Sequence, residues 1–328
     1  MYINFFSFSQ LITGSIYLMG QKIDEIVRSK TAKHAPYPTV CVGNFQAGGT
    51  GKTPAALWVA KQLKGLGYSP VIIIRGYRGS VSKSTIVDRQ DAYAYGDETV
   101  LHAQHFPTIV GKNRLESTHL AHTIPGDKKV LIMDDGLQHY QLLKDFSIVC
   151  QKNLRFEADA MLPIGRLRQI PHTNVHAILS QINEAGYQKV ESWKGIPEYT
   201  FARETVLRSG SKEPGLVVCG VANPDDCLYR IQKAGEFIGD EMKFRDHHRY
   251  STADLARMEK ASKKYEYHVH CTAKDAVKLA PLVEAENSPI RLSVWDVEIQ
   301  PVGNVQPLLD AMVAKIEEVY KNRSQKQA

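Results

Sequence analysis

The chain has 328 residues, with 41 lysines and arginines against 35 aspartates and glutamates, giving a formal net charge of +6. Charged residues make up 23% and the hydrophobic set 43%, an ordinary globular composition that excludes disorder, collagen-like repeats and a polytopic membrane protein. The length allows one large domain or two ordinary ones.

The opening departs from that average, because no side chain from Met1 to Gln21 carries a formal charge. No basic residue precedes the apolar run, and Gln10, Thr13 and Ser15 interrupt it, which fits neither a secretory signal nor a membrane-spanning helix. At helical spacing Phe5, Phe8, Ile12, Ile16, Met19, Ile23 and Ile26 share one broad face, and Lys22, Asp24, Glu25 and Arg28 enter only later. Two readings stand at this point: a helix lying in a membrane interface, or a terminal helix packed on its own domain.

Short apolar runs then alternate with helical patterns. Strands are predicted at Thr39–Val42, Pro70–Ile74, Thr108–Val110, Lys129–Met133, Ser147–Cys150 and Val175–Leu179. They are apolar on both faces, as strands of a helix-covered parallel sheet should be. Between the first two lies a helix over Pro54–Leu66, with Ala55, Ala56, Val59, Ala60 and Leu63 on one side. From Gln181 the texture changes, and Trp193–Pro214 reads as a linker or ribbon. A second alternating set follows: a strand at Leu216–Cys219, a helix from Asp225, a strand at Tyr267–Cys271 with a helix after it, a strand at Ile290–Ile299 and a helix at Leu308–Val319. The polar tail KNRSQKQA is expected to fray. We therefore expect an α/β fold: a P-loop-like parallel sheet over residues 28–185, a second, smaller α/β lobe over 186–328, and an N-terminal apolar helix over 1–27.

Five scattered cysteines, Cys41, Cys150, Cys219, Cys227 and Cys271, lack metal-site spacing and sit mostly in apolar runs, which suits reduced thiols in a reducing compartment.

The strongest local signal is VCVGNFQAGGTGKTP, Val40 to Pro54. A strand ends, a glycine-dense loop turns and a helix begins, the arrangement that turns backbone N–H groups and a helix N-terminus toward phosphate. Gly48, Gly49, Thr50 and Gly51 form the candidate nucleotide loop, with Lys52 placed to reach the β- and γ-phosphates and Thr53 to ligate Mg²⁺. The strict G-x-x-x-x-G-K-T pattern is not met, because Gln46 stands where its first glycine belongs.

Asp134 and Asp135 end a predicted strand in KKVLIMDDGLQH, where a magnesium or phosphate-side role is expected; two adjacent residues of an extended strand cannot point the same way, so their roles should differ. Asp97 and Glu98 in GDE precede a helix starting near Thr99 and could simply cap it. In FRDHHRYSTADL, Ser251 and Asp254 spell a capping box, leaving Asp246, His247 and His248 in the loop before it, and Thr272 with Asp275 spells another. Arg75, Arg78, Lys112, Arg114, Arg166 and Arg168 follow strands or lie in glycine-bearing loops, which suits an anionic substrate; no dense basic stripe points to nucleic acid.

GGTGKTP, RGY, GDE, DDGLQH, LPIGRLR, DHH and TAKDAVKL occur here in an order that resembles the tetraacyldisaccharide 4'-kinases, the lipid A 4'-kinases, from the apolar start to about Ala280. The resemblance implies transfer of the γ-phosphate of ATP, with Mg²⁺, to the 4'-hydroxyl of a tetraacylated glucosamine disaccharide 1-phosphate in lipid A biosynthesis, a step toward lipopolysaccharide. It implies a peripheral or monotopic enzyme at the cytoplasmic face of the bacterial inner membrane. By motif, Asp97 matches the proposed catalytic base, supported by His247, with Lys52 and Asp135 completing the candidate catalytic set. Thr53, Glu98, Asp134 and Asp135 match positions associated with metal or the active site. Gln138 and His139 complete the DDGLQH motif, and together with Arg75, Arg78, Arg166 and Arg168 they are candidates for gripping the substrate, the arginines for its 1-phosphate. Gln169 and Ala273 replace acids that the family usually carries. On this resemblance the uncharged opening reads as an interfacial anchor and the basic balance as affinity for anionic lipid and phosphate. No obligate protein partner is expected. The alternatives are a P-loop ATPase or GTPase switch acting on a protein, and a catalytically impaired membrane-associated binding protein.

Overall fold

The computed structural model describes residues 8–151, 160–172, 174–182, 193–237 and 239–327. The chain forms two compact units built from interleaved segments: residues 1–74, 113–202 and 300–328 in the first, and 75–112 with 203–299 in the second. This differs from the contiguous division at 185/186 read from the sequence. Two segments, 75–112 and 300–328, exchange places because the chain leaves and re-enters each unit.

The first unit is a parallel sheet. Its strands run, side by side, Glu198–Phe201 (the start of the strand Glu198–Ser209), Ala177–Gln181, Phe146–Gln151, Thr39–Gly43, Lys129–Asp134 and Ser69–Ile74. Val40 sits in register with Phe146 on one side and Ile132 on the other. The strands Thr39–Gly43, Phe146–Gln151 and Lys129–Asp134 are buried at every position, as their uninterrupted apolar runs require. From Thr39–Gly43 the chain goes to one side of the sheet, to Ser69–Ile74, and from Lys129–Asp134 it goes to the other, to Phe146–Gln151. Such a reversal leaves a crevice at the carboxyl ends of the strands. The helix Lys52–Gly65 buries Ala55, Ala56, Val59, Ala60 and Leu63 as its sequence predicts, and Trp58 besides, whose ring meets Phe201 edge-on with centroids 5.0 Å apart. The closing helix runs from Gln306 to Gln327.

The second unit carries a four-stranded parallel arrangement in the order Glu241–Lys243, Leu216–Cys219, His268–Thr272 and Arg291–Val302. Alternate residues serve opposite faces: Leu216 and Val218 pack with Val269, Leu255 and Leu279, while Val217 and Cys219 pack with Leu228, Ile231 and Trp295. Thr85–Ile86 and Thr108–Val110 pair antiparallel. The stretch read as linker or ribbon is a strand, Glu198–Ser209. All five cysteines are free thiols, four of them buried.

Candidate active site

In the first unit the strand Thr39–Gly43 delivers the chain into the glycine loop, and the helix Lys52–Gly65 starts at its end. Gly48 and Gly51 have φ of 102° and 83°, backbone that a side chain would strain. A Cβ built on Gly48, Gly49 or Gly51 would meet nothing within 4 Å, so the loop keeps an open side on which an anion can approach its amides. Buried Asn44 braces the loop from behind, donating from Nδ2 to Thr50 Oγ1 at 2.7 Å. The LPIGRLR segment is laced along it: the Ala47 amide donates to the Arg166 carbonyl at 2.6 Å, and the Arg168 amide to the Phe45 carbonyl at 2.7 Å.

Asp134 is the last residue of its strand, and Asp135 follows with a left-handed φ of 52°. That turn gives the two carboxylates different partners. Asp134 Oδ2 accepts from the Thr53 hydroxyl at 3.2 Å. Asp135 instead meets Arg168, with Nη2 2.6 Å from Oδ1, and Lys52 Nζ lies 3.8 Å from the same oxygen. Buried Arg114 donates from Nη2 to the Asp135 carbonyl at 3.0 Å and so fixes the turn. Removal from water pushes the Asp135 carboxyl up, but the Arg168 hydrogen bond and the charges of Lys52, Arg168 and Arg114 hold it down at about 2.

Among the described residues no group of three or more His, Cys, Asp or Glu side chains could hold a metal. The Thr53 hydroxyl and the Asp134 carboxylate, adjacent at the loop, fit Mg²⁺, which characteristically takes one or two protein ligands and fills its shell with phosphate oxygens and water. Asp135 is committed to Arg168, and Glu98, in the second unit, is paired with Lys274.

In the second unit the helix Asp97–Ala103 begins two residues before the predicted Thr99, so Asp97 is its first residue. The Asp97 side chain is 6% exposed, and His247 Nδ1 approaches both its oxygens, Oδ2 at 2.8 Å and Oδ1 at 3.0 Å. Lys278 Nζ lies 3.4 Å from Oδ2. Burial pushes the Asp97 carboxyl up; the His247 hydrogen bond outweighs it together with the charges of His247, Lys278 and Lys274, leaving it down at about 2. His247 occupies a left-handed φ of 56°, its amide donates to the Gly220 carbonyl at 3.1 Å, and the Tyr77 ring sits edge-on to its imidazole at 5.3 Å. Ser251 and Asp254 form the expected capping box, which starts the next helix and leaves His247 in the loop.

The remaining sequence candidates divide. Gln138 donates from Nε2 to the Asn44 carbonyl at 2.9 Å and to Gln169 Oε1 at 2.7 Å, so the amide at 169 serves as an acceptor in the brace behind the phosphate loop. His139 is buried, and its carbonyl accepts from Lys144 at 2.6 Å. Arg166 and Arg75 are exposed. Arg78 donates to the Asp246 carbonyl at 2.8 Å, steadying the His247 loop, and Arg168 is engaged by Asp135. Sequence reasoning assigned no role to Lys274, Lys278 or Asn44; the one signal was two lysines at i and i+4 in TAKDAVK, which share a helix face.

The family model for tetraacyldisaccharide-1-P 4'-kinase (LpxK) matches residues 6–317. The chain is 33% identical over 279 residues to the tetraacyldisaccharide 4'-kinase of Methylobacterium nodulans, covering 79% of this chain and 80% of that one. It is 34% identical over 257 residues to that of Methylorubrum extorquens, with 74% and 77% covered. With that of Halorhodospira halophila it shares 30% over 291 residues, covering 86% and 84%. A crystal structure of LpxK from Aquifex aeolicus in complex with ATP has the same fold, with a TM-score of 0.74 at 22% identity over 94% of this chain and 98% of that one.

Proposed function

We propose a reaction from one premise: this chain belongs to the tetraacyldisaccharide-1-P 4'-kinase family. It transfers the γ-phosphate of ATP to the 4'-hydroxyl of a tetraacylated disaccharide 1-phosphate. The observation that carries the assignment of roles is the Asp97–His247 pair, a buried anion held on a histidine in a short loop. Asp97 accepts the proton of the attacking sugar hydroxyl, and His247 orients the carboxylate. A sugar hydroxyl is a poor acid whose proton leaves late, so the base needs placement more than a high pKa.

The amides of Gly48–Gly51 and the Lys52 ammonium hold the phosphates, and Asp135 with Arg168 keeps Lys52 directed there. Thr53 and Asp134 are the residues that would hold Mg²⁺, which when bound offsets charge on the transferring phosphoryl group. Arg75, Arg78, Arg166 and Arg168 remain the candidates for the substrate's 1-phosphate, and the side chains of Arg75 and Arg166 are exposed.

No helix among the described residues is long and apolar enough to cross a membrane. The helix Phe8–Ser29 nevertheless exposes Ile16, Met19, Ile23, Ile26 and Val27, each more than half accessible. We place that stripe in the membrane interface, as a peripheral anchor on the bilayer that holds the acylated acceptor.

Purified protein, ATP with Mg²⁺ and tetraacyldisaccharide 1-phosphate, followed by mass spectrometry, tests the reading. The expected product carries one added phosphate, in step with ADP. Lys52→Ala should abolish most of it while the lipid still binds. ATP hydrolysis without lipid phosphorylation would favour a protein-directed switch, and binding without turnover an impaired relative; either overturns the kinase reading.

A further inference from the structure

Two charged groups, Lys278 and Asp275, lie in line behind Asp97. Lys278, 4% exposed, stands 3.4 Å from Asp97 Oδ2 and 3.6 Å from Asp275 Oδ1, with the Tyr250 ring 5.4 Å from its nitrogen. Asp275 is fully buried, and neutral donors fill it: Oδ2 accepts from the Gly220 amide at 3.0 Å and the Thr272 hydroxyl at 2.7 Å, and Oδ1 from the Tyr250 hydroxyl at 2.9 Å. Gly220 turns its carbonyl to the His247 amide. A Cβ at Gly220 would come within 2.8 Å of Asp275 Oδ1 and 2.9 Å of the Tyr250 hydroxyl, so the backbone there touches the carboxylate directly.

Asp275 therefore reaches the Asp97–His247 pair by two separate routes. One runs through Gly220 to the main chain of His247, the other through the Lys278 ammonium to the carboxylate of Asp97. We propose that Asp275 and Lys278 are positioning residues for that pair, with Asp275 an anchor shared by both partners and Lys278 the link that fixes the Asp97 rotamer; this rests on the reading of Asp97 as the base.

A helix cap and an i,i+3 ion pair would account for Thr272, Asp275 and Lys278 if they served the helix Ala273–Ala285 alone. They do not account for Lys278 reaching a carboxylate 181 residues away on another helix, or for Asp275 holding the strand end that holds His247. Burying an ammonium is costly unless it is paired, and here it lies between two acids. Lys274, one turn earlier, pairs with Glu98 in the same way, so the two lysines of one helix face take the two consecutive acids of GDE.

Two measurements test the link. In the first, kcat and KM are determined for wild type, Lys278→Met, Lys278→Arg, Asp97→Asn and the Asp97→Asn/Lys278→Met double variant. Lys278→Met should lower kcat on the order of 10-fold with KM for ATP unchanged, and Lys278→Arg should restore most of it. On the Asp97→Asn background the same change should have almost no effect, because the carboxylate it positions is gone. Full multiplication of the two losses, or wild-type kcat in Lys278→Met, would overturn the proposal. The second measurement needs no turnover: the Nδ1–H proton resonance of His247 in histidine-labelled protein reports its contact with Asp97. Lys278→Met should shift or broaden it, and an unchanged signal refutes the link even if the wild type phosphorylates the lipid. A wild type that transfers nothing, with that resonance still moved by Lys278→Met, would sink the kinase reading and leave the positioning intact.

Discussion

Burial alone would make Asp97 a reluctant anion, yet the His247 hydrogen bond and three nearby cationic groups bring its pKa from 3.8 to about 2. Such a carboxylate is fully ionised at neutral pH and weakly basic, which suits a proton that moves late in phosphoryl transfer. Asp97→Asn keeps the volume and loses the acceptor, and should lower kcat by about 10²- to 10⁴-fold with little change in ATP affinity. Equal losses in both would make the residue structural. Folding lowers this pKa, so the stability that Asp97 contributes is complete above about pH 4 and lost as pH falls through about 2. A carbon-13 titration should show two aspartate carboxyls ionising near 2, those of Asp97 and Asp135, and His247→Ala should move only the Asp97 one upward. The candidate base was visible in the sequence only as a motif: as residues, GDE looks like a cap, and nothing local indicates that Asp97 meets His247 across 150 positions.

The helix Phe8–Ser29 shows what an element adds. Tyr17 donates to the Arg168 carbonyl and Gln21 to the Tyr140 hydroxyl, while a Cβ on Gly14 would lie 3.2 Å from Ile164. Those positions, 14, 17 and 21, form one helical face that docks, and Ile16, Met19, Ile23, Ile26 and Val27 lie off it, exposed. The docked face realises the packed-helix reading, and the exposed face is the one we propose for the membrane interface. Ile16→Asp with Ile23→Asp removes about 1.5–3 kcal/mol of burial per site, so binding to anionic vesicles should fall more than tenfold. Co-sedimentation measures it, and ATP affinity should not change; unaltered vesicle binding would remove the anchor from the reading. Buried strands and the phosphate-loop helix were legible because continuous apolar runs and alanine-rich faces carry their own signal. The strand Glu198–Ser209 was not, because Phe201 is its one fully buried residue and Arg203, Glu204 and Arg208 interrupt it; Arg208 pairs instead with Asp296 and Glu298 on the strand Arg291–Val302.

At the scale of the whole chain, the interleaving of the two units decides where it can be cut. Local patterning gives elements in order and says nothing of which segment returns to which core, so residues 75–112 and 300–328 were assigned by proximity in sequence. A fragment of residues 1–185 lacks the helix Gln306–Gln327, which buries Leu308, Leu309, Met312 and Ile316 in the first unit. Its Glu317 accepts from the Tyr68 hydroxyl, and its Tyr320 donates to the Lys129 carbonyl. Losing four such side chains forfeits about 6–12 kcal/mol at about 1.5–3 each, as much as a whole domain's net stability. The complementary fragment, 186–328, keeps Lys278 but loses Asp97, leaving a buried ammonium with one acid in place of two. Neither fragment should fold cooperatively, whereas the intact chain should. Calorimetry of the separately expressed pieces checks it: a sharp heat-absorption peak from residues 1–185 alone would mean that the C-terminal helix is an accessory to the first core and that the contiguous division is physically sufficient.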